Sequence, residues 1–170
     1  MRRPLRTTLV VTAALVVMLA VAVPAQAQNP HFIRSSASIN DDGSLTVSWK
    51  EAGLGTNQLI DYLLTADSTA TYVCVNRGGG NPSASNKTTV SGPVSATGTF
   101  SSGKNGQVTA SLTAGPPSAG GFTCPPGQSL QLALVSYSNI LLTDTTNDIS
   151  IGNPNLSSGC LLPNVRGACD

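Results

Sequence analysis

Apolar and polar positions alternate along most of the chain. The cleanest stretch is 45–50, where Leu45, Val47 and Trp49 interleave with Thr46, Ser48 and Lys50, the two-residue period of a half-buried strand. Upstream, Ile33, Ser35, Ala37 and Ile39 share one face of a first strand, and Asn40-Asp41-Asp42-Gly43-Ser44 reads as the intervening turn. Its Asp-Gly supplies the positive φ that a tight hairpin needs. Ile60, Tyr62, Leu64 and Ala66 mark a third strand, and Asp67-Ser68-Thr69 is expected to turn the chain into a fourth over 70–76. There Ala70, Tyr72 and Cys74 face one way and Thr71, Val73 and Val75 the other. Both faces are largely apolar, which predicts a strand in the interior of a sheet.

Residues 77–87 are glycine-rich, carry no apolar anchor and read as an exposed loop. Val90, Val94, Ala96, Gly98 and Phe100 resume strand spacing, with Gly92-Pro93 pointing to a bulge or a sheet edge. Asn105-Gly106 predicts a hairpin into a partner strand bearing Val108, Ala110 and Leu112. A Pro/Gly loop over 115–127 holds Cys124. The apolar run 130–142 reads as one long bent strand, or as two broken near Ser138-Asn139, before a turn over 144–148 and a short strand with Ile149 and Ile151. After the first 27 residues no apolar spacing of three and four persists over three turns. The expected fold is therefore all-β: a two-sheet immunoglobulin-like β-sandwich of seven to nine short strands.

The N-terminal pattern differs. Arg2, Arg3 and Arg6 precede an apolar run over 9–23 that ends in Pro24-Ala25-Gln26-Ala27, the layout of a secretory signal cleaved after Ala27. A run of about 15 residues falls short of the roughly 20 that span a bilayer. Three parts are expected: a signal peptide over 1–27, a sandwich over 28–155 and a disulfide-looped tail over 156–170. Loss of three arginines leaves six Lys and Arg against eight Asp and Glu, a net charge of −2. With no basic run, nucleic acid is not an expected partner, and no membrane span is expected after signal removal. Charged residues make up 10% of the chain while Ser, Thr, Gly and Asn abound, which suits an extracellular β-domain with hydroxyl-rich faces.

Export sets the reading of the four cysteines. Cys160 and Cys169 lie close together around Pro163 and Gly167 and favour a local ring, which leaves Cys74 to pair with Cys124 across about 50 residues. On the chain-entropy model the long loop contributes about 4 kcal/mol and the short one about 2.5–3. A metal site is the weaker reading, because no cysteine pair has knuckle spacing and His31 is the only histidine. No metal and no cofactor is expected.

Catalytic candidates are few. His31 stands near the start of the mature chain without a second histidine, so a nucleophile–base pair would rest on it alone. Most aspartates fall in expected turns, leaving Glu51 and Asp61 as the acids nearest strand cores for a carboxylate pair. Residues 98–105 imitate a phosphate-binding loop but lack the terminal Ser or Thr and a following helix. Residues 38–49 imitate the start of a calcium loop but put Trp49 where a bidentate Glu belongs. No catalytic residue is assigned.

The segments 45–52, 70–82, 90–113 and 124–144 together resemble a group of small exported β-rich proteins of high-GC Gram-positive bacteria. The residues that carry the resemblance are Val47-Ser48-Trp49-Lys50-Glu51-Ala52, Tyr72-Val73-Cys74-Val75-Asn76 and the run from Thr97-Gly98-Thr99-Phe100 to Gln107-Val108. It implies a compartment and no mechanism. Residues 70–74 also look like the tyrosine-x-cysteine corner of antibody variable domains. Those domains place tryptophan between their paired cysteines, whereas Trp49 precedes Cys74. The expected function is a secreted, non-enzymatic module acting through its surface on a protein or on the cell envelope. The alternative is a small-ligand carrier or carbohydrate-binding protein that uses the loops at one end, with Arg77, Asn81, Asn86 and Phe122 as the candidate ligand residues.

Overall fold

A computed structural model describes residues 29–80 and 86–169; the expected signal peptide over 1–27 and the candidate Asn81 lie outside the described residues. Eight strands follow in order: β1 His31–Ile39, β2 Leu45–Ala52, β3 Leu59–Asn76, β4 Lys87–Ser101, β5 Gln107–Ala114, β6 Gln128–Asp144, β7 Ile149–Gly152 and β8 Leu156–Ser157. They form two sheets. Sheet A has the order β1-β2-β5; sheet B has the order β4-β3-β6-β7, with β8 added to β6. Their inner faces meet in one core that takes Leu45, Val47 and Trp49 from β2, Ile60, Tyr62 and Leu64 from β3, and Tyr137, Ile140 and Leu142 from β6. The rings of Trp49, Tyr62 and Phe100 stack within it, with centroids 4.7 to 5.9 Å apart. The two-sheet all-β architecture and both disulfides, Cys74–Cys124 and Cys160–Cys169, follow the expectation.

Four expectations are corrected. Asp67-Ser68-Thr69 is no turn: β3 runs unbroken for 18 residues. The polar side chains that suggested a turn find partners across the sheet instead. Ser68 Oγ donates to Gly92 O at 2.8 Å, Thr69 Oγ1 bonds Ser91 Oγ at 2.9 Å and Asp67 accepts from Asn139 Nδ2 at 2.8 Å. With β4 at 15 and β6 at 17 residues, three strands are long rather than short. Next, Ile33 does not share the inward face of β1. A bulge between Phe32 and Arg34 inserts one residue against β2, so Phe32 reaches the core and Ile33 is half exposed.

Finally, Asn105-Gly106 does not close a hairpin. β5 pairs with β2 in the other sheet, so the β4–β5 link is a crossover. It runs beside the β2–β3 crossover, to which it is bonded by Leu54 N–Gly106 O, Asn57 N–Gly103 O and Ser102 N–Gln58 O. Ser102 Oγ donates to Gly55 O at 2.7 Å and accepts from Gln58 N at 2.9 Å. Each crossover thus satisfies the backbone of the other.

The apolar run over 130–142 is one bent strand. β6 shifts register against β3 near Asn139, whose φ is 51°, so inward positions change from Val135 and Tyr137 to Ile140 and Leu142. A second shift lies at Thr71/Tyr72. Beyond it Val73 and Val75, on the outer face of sheet B, join Ala133 and Ala168 in a separate small core beneath the C-terminal segment. That segment is stitched to β6 through β8 and through Ser158 N–Val135 O and Leu161 N–Ala133 O.

Candidate functional site

Arg77 and Asn86 stand at the end of β3 and β6 that Cys74–Cys124 ties to the 115–127 loop. Asn76 is paired with Gln128, Gln128 Oε1 accepts from Asn86 Nδ2 at 3.2 Å, and Tyr72 donates its hydroxyl to Pro117 O at 2.8 Å. Arg77 is exposed and borders a shallow depression of about 330 Å³ with Asn76, Gly127, Gln128 and Ser129. Asn86 is half-buried and reaches it only through Gln128. Phe122 is half-buried within its own loop, its N–H bonded to Ala119 O, and does not border the depression. The structure brings Arg77 and Asn86 together and leaves Phe122 apart.

The two carboxylates considered for hydrolysis do not form a pair. Asp61 is on the outer face of sheet B, accepting from Thr99 Oγ1 at 2.5 Å, while Glu51 is sealed between the sheets with no exposed surface. Glu51 continues the inward set of Leu45, Val47 and Trp49. Its Oε2 accepts the Tyr62 hydroxyl at 2.8 Å, and its Oε1 has no hydrogen-bond partner; neither has the buried Trp49 Nε1. Burial pushes the Glu51 carboxyl up to about 7, against the Tyr62 hydrogen bond and with help from the nearby Asp144 carboxylate. Asp144 is equally buried. It closes its own turn, accepting from Thr146 N at 2.8 Å, Asn147 N at 2.9 Å and Asn147 Nδ2 at 2.7 Å. Burial likewise raises the Tyr62 hydroxyl far above its ordinary range and Tyr137 to about 12. This cluster can hold a proton, but no substrate can reach it while the sheets are closed.

Other sequence candidates are occupied locally. His31 Nδ1 lies 2.9 Å from Asn29 O at the start of β1. Asp42 accepts from Ser44 Oγ at 2.6 Å and Ser44 N at 2.9 Å, bonds that hold its carboxyl below the usual range within an ordinary turn. Among the described residues no group of three or more His, Cys, Asp or Glu is placed to hold a metal ion.

The outer face of sheet A is more ordered than the sequence alone indicated. Register places Arg34, Lys50 and Thr109 in one cross-strand row, and Ser36, Ser48 and Ser111 in the next. Ser38, Thr46 and Thr113 form the third, where Thr46 Oγ1 bonds Thr113 Oγ1 at 2.8 Å. Nine positions thus carry two cations and seven hydroxyls. The one acid in these three strands, Glu51, points inward. Arg34, Thr109 and the row of Ser36, Ser48 and Ser111 line a shallow depression of about 390 Å³, which Lys50 does not border. On sheet B, Thr71 and Thr89, Thr69 and Ser91, and Thr143 and Ser150 form hydroxyl pairs, while Asp61 accepts from Thr99 and Asp67 from Asn139. The alternation of Thr46, Ser48 and Lys50 showed one column of the sheet A array; the other two needed the register. No protein-family model matches the chain, and no curated protein matches it.

Proposed function

We propose that the protein is a secreted, non-enzymatic β-sandwich that acts through its surface as an interaction or cell-envelope-associated module. The observation that carries this reading is the division of chemistry between interior and exterior. The carboxyls in an unusual environment are sealed in the core, whereas both outer faces present ranks of hydroxyls with shallow depressions. Such faces suit an extended partner better than a small molecule that must be engulfed. Two disulfides, the leader pattern and the resemblance to exported proteins support an oxidising compartment outside the cytoplasm. Among the described residues no helix is long and apolar enough to cross a membrane. The strand order, with the chain changing sheets after β2, β4 and β5, supports an immunoglobulin-like topology.

The carrier reading has one observation in its favour, the depression beside Arg77. The test for the module reading is co-sedimentation of the purified, disulfide-bonded protein with washed envelope fractions of its host. Saturable retention is expected. A protein that stays wholly in the supernatant, while a thermal-shift screen finds a small metabolite that stabilises it, would favour the carrier instead.

A further inference from the structure

Arg34 and Lys50 are direct cross-strand neighbours on sheet A. Neither side chain has a hydrogen-bond or ion-pair partner among the described residues. Side chains so placed stand about 5 Å apart, and like charges directly opposite each other destabilise a sheet. The repulsion between the two charges is weak in water. A neighbouring acid would remove it, yet β1, β2 and β5 offer none on this face. The chain as a whole is close to neutral, so the cation pair is a local feature rather than part of a generally basic surface. Beyond the pair, hydroxyls continue at strand spacing, about 4.8 Å across and 6.8 Å along the sheet. Ser36, Ser48 and Ser111 have no side-chain partner of their own among the described residues, whereas Thr46 and Thr113 already bond each other. The free row is the one next to the charges.

We infer that the outer face of sheet A is a docking surface for an acidic polysaccharide, with Arg34 and Lys50 receiving its anionic groups and Ser36, Ser48 and Ser111 its hydroxyls. Arg34 can grip an oxyanion with two parallel N–H donors and Lys50 adds a point charge from the adjacent strand. The serines can both donate and accept, as sugar hydroxyls do. Few aromatic rings are exposed for stacking, so charge and hydroxyl matching supply the recognition. This rests on the surface-acting reading above and specifies its partner.

The experiment measures binding of the purified protein to dextran sulfate, with uncharged dextran and a single-stranded DNA of matched charge as the other probes. Binding to dextran sulfate but not to dextran is expected, and it weakens as NaCl rises from about 0.05 to 0.3 M. Arg34→Glu should weaken it about tenfold or more, and Lys50→Gln by a similar factor. Arg34→Glu places opposite charges across the β1–β2 pair, so the fold is retained. Arg166→Gln, an exposed cation on the C-terminal segment, should leave binding unchanged. The inference is overturned if dextran sulfate is not bound, if Arg34→Glu has no effect, if Arg166→Gln costs as much, or if DNA binds as tightly. Envelope retention that survives Arg34→Glu would refute this docking surface and leave the module reading intact. Dextran sulfate binding without envelope retention would do the reverse.

Discussion

Replacing Glu51 by Gln isolates the energetics of the buried cluster. The carboxyl sits at about 7 in the folded protein against 4.5 for an exposed glutamate, and each unit of difference is worth about 1.36 kcal/mol. A folded-state value above the unfolded one means that the folded protein holds the proton more tightly. The stability this provides is complete below about pH 4.5, is lost as the pH rises towards 7, and amounts to on the order of 3 kcal/mol. Asp42 has the opposite sign. Its depressed folded value contributes above its unfolded pKa and is lost only in acid, below the Glu51 window. In Glu51→Gln the side-chain amide keeps an oxygen for the Tyr62 hydroxyl, and its N–H takes the place of the carboxyl proton without titrating. Urea unfolding at pH 4.5, 6 and 7.5 tests this. Wild type should lose on the order of 3 kcal/mol across that range while Glu51→Gln stays level, so the two match at pH 4.5 and the variant is more stable at 7.5. By thermal melting the gap at pH 7.5 is roughly 10 °C. A wild-type profile that is flat or rising between pH 4.5 and 7, or a variant that keeps the slope, would refute the reasoning.

Tyr62→Phe removes the one hydrogen bond that favours the Glu51 carboxylate, so the loss of stability should still begin near pH 4.5 but continue to higher pH, and cost about 1–3 kcal/mol above neutrality; the same urea series, extended to pH 8.5, reads both effects. Replacing Cys74 and Cys124 together by Ala frees a loop with a sequence separation of 50, which should lower unfolding stability by about 4 kcal/mol. A reduced midpoint in denaturant checks it, and an unchanged midpoint would show that the 115–127 loop adds no constraint. Gly106 and Gly103 both have positive φ, 61° and 58°, but a Cβ on Gly106 would stand 3.1 Å from Gly55 O while one on Gly103 meets open space. Gly103→Ala should cost about 1 kcal/mol from backbone conformation and Gly106→Ala about 2–3. Equal melting temperatures would mean that the two crossovers are not in close contact.

What the sequence revealed and what it concealed follow one physical line. Period-two alternation is local, and it located β2 and the inward faces of β3 because each residue reports its own burial. Register is not local. The bulge that turns Ile33 outward depends on which residue of β2 lies opposite, and the turn expected over 67–69 vanished because Gly92, Ser91 and Asn139 were waiting on other strands. The β4–β5 link shows the same limit. Asn105-Gly106 permits a reversal, but whether the chain returns to its own sheet or crosses to the other is decided by Gly55 and Gln58, some 50 residues earlier.

Glu51 is the exception in which a local rule held against chemical intuition. It lies two residues past Trp49, which is itself two past Val47, so strict alternation directs it inward. Its charge argued for the surface. Alternation prevailed because β2 is paired on both sides, with Phe32 and Val108 flanking position 51. Turning one side chain outward would then require a bulge and the loss of ladder bonds on two strands. Protonation avoids that cost, and Tyr62 supplies a donor for the remaining oxygen. The same pairing turns Lys50 outward, opposite Arg34. The buried acid and the unneutralised cations are therefore two consequences of one register. A slip of one residue in β1 against β2 would take Arg34 away from Lys50 and put its charge against the core.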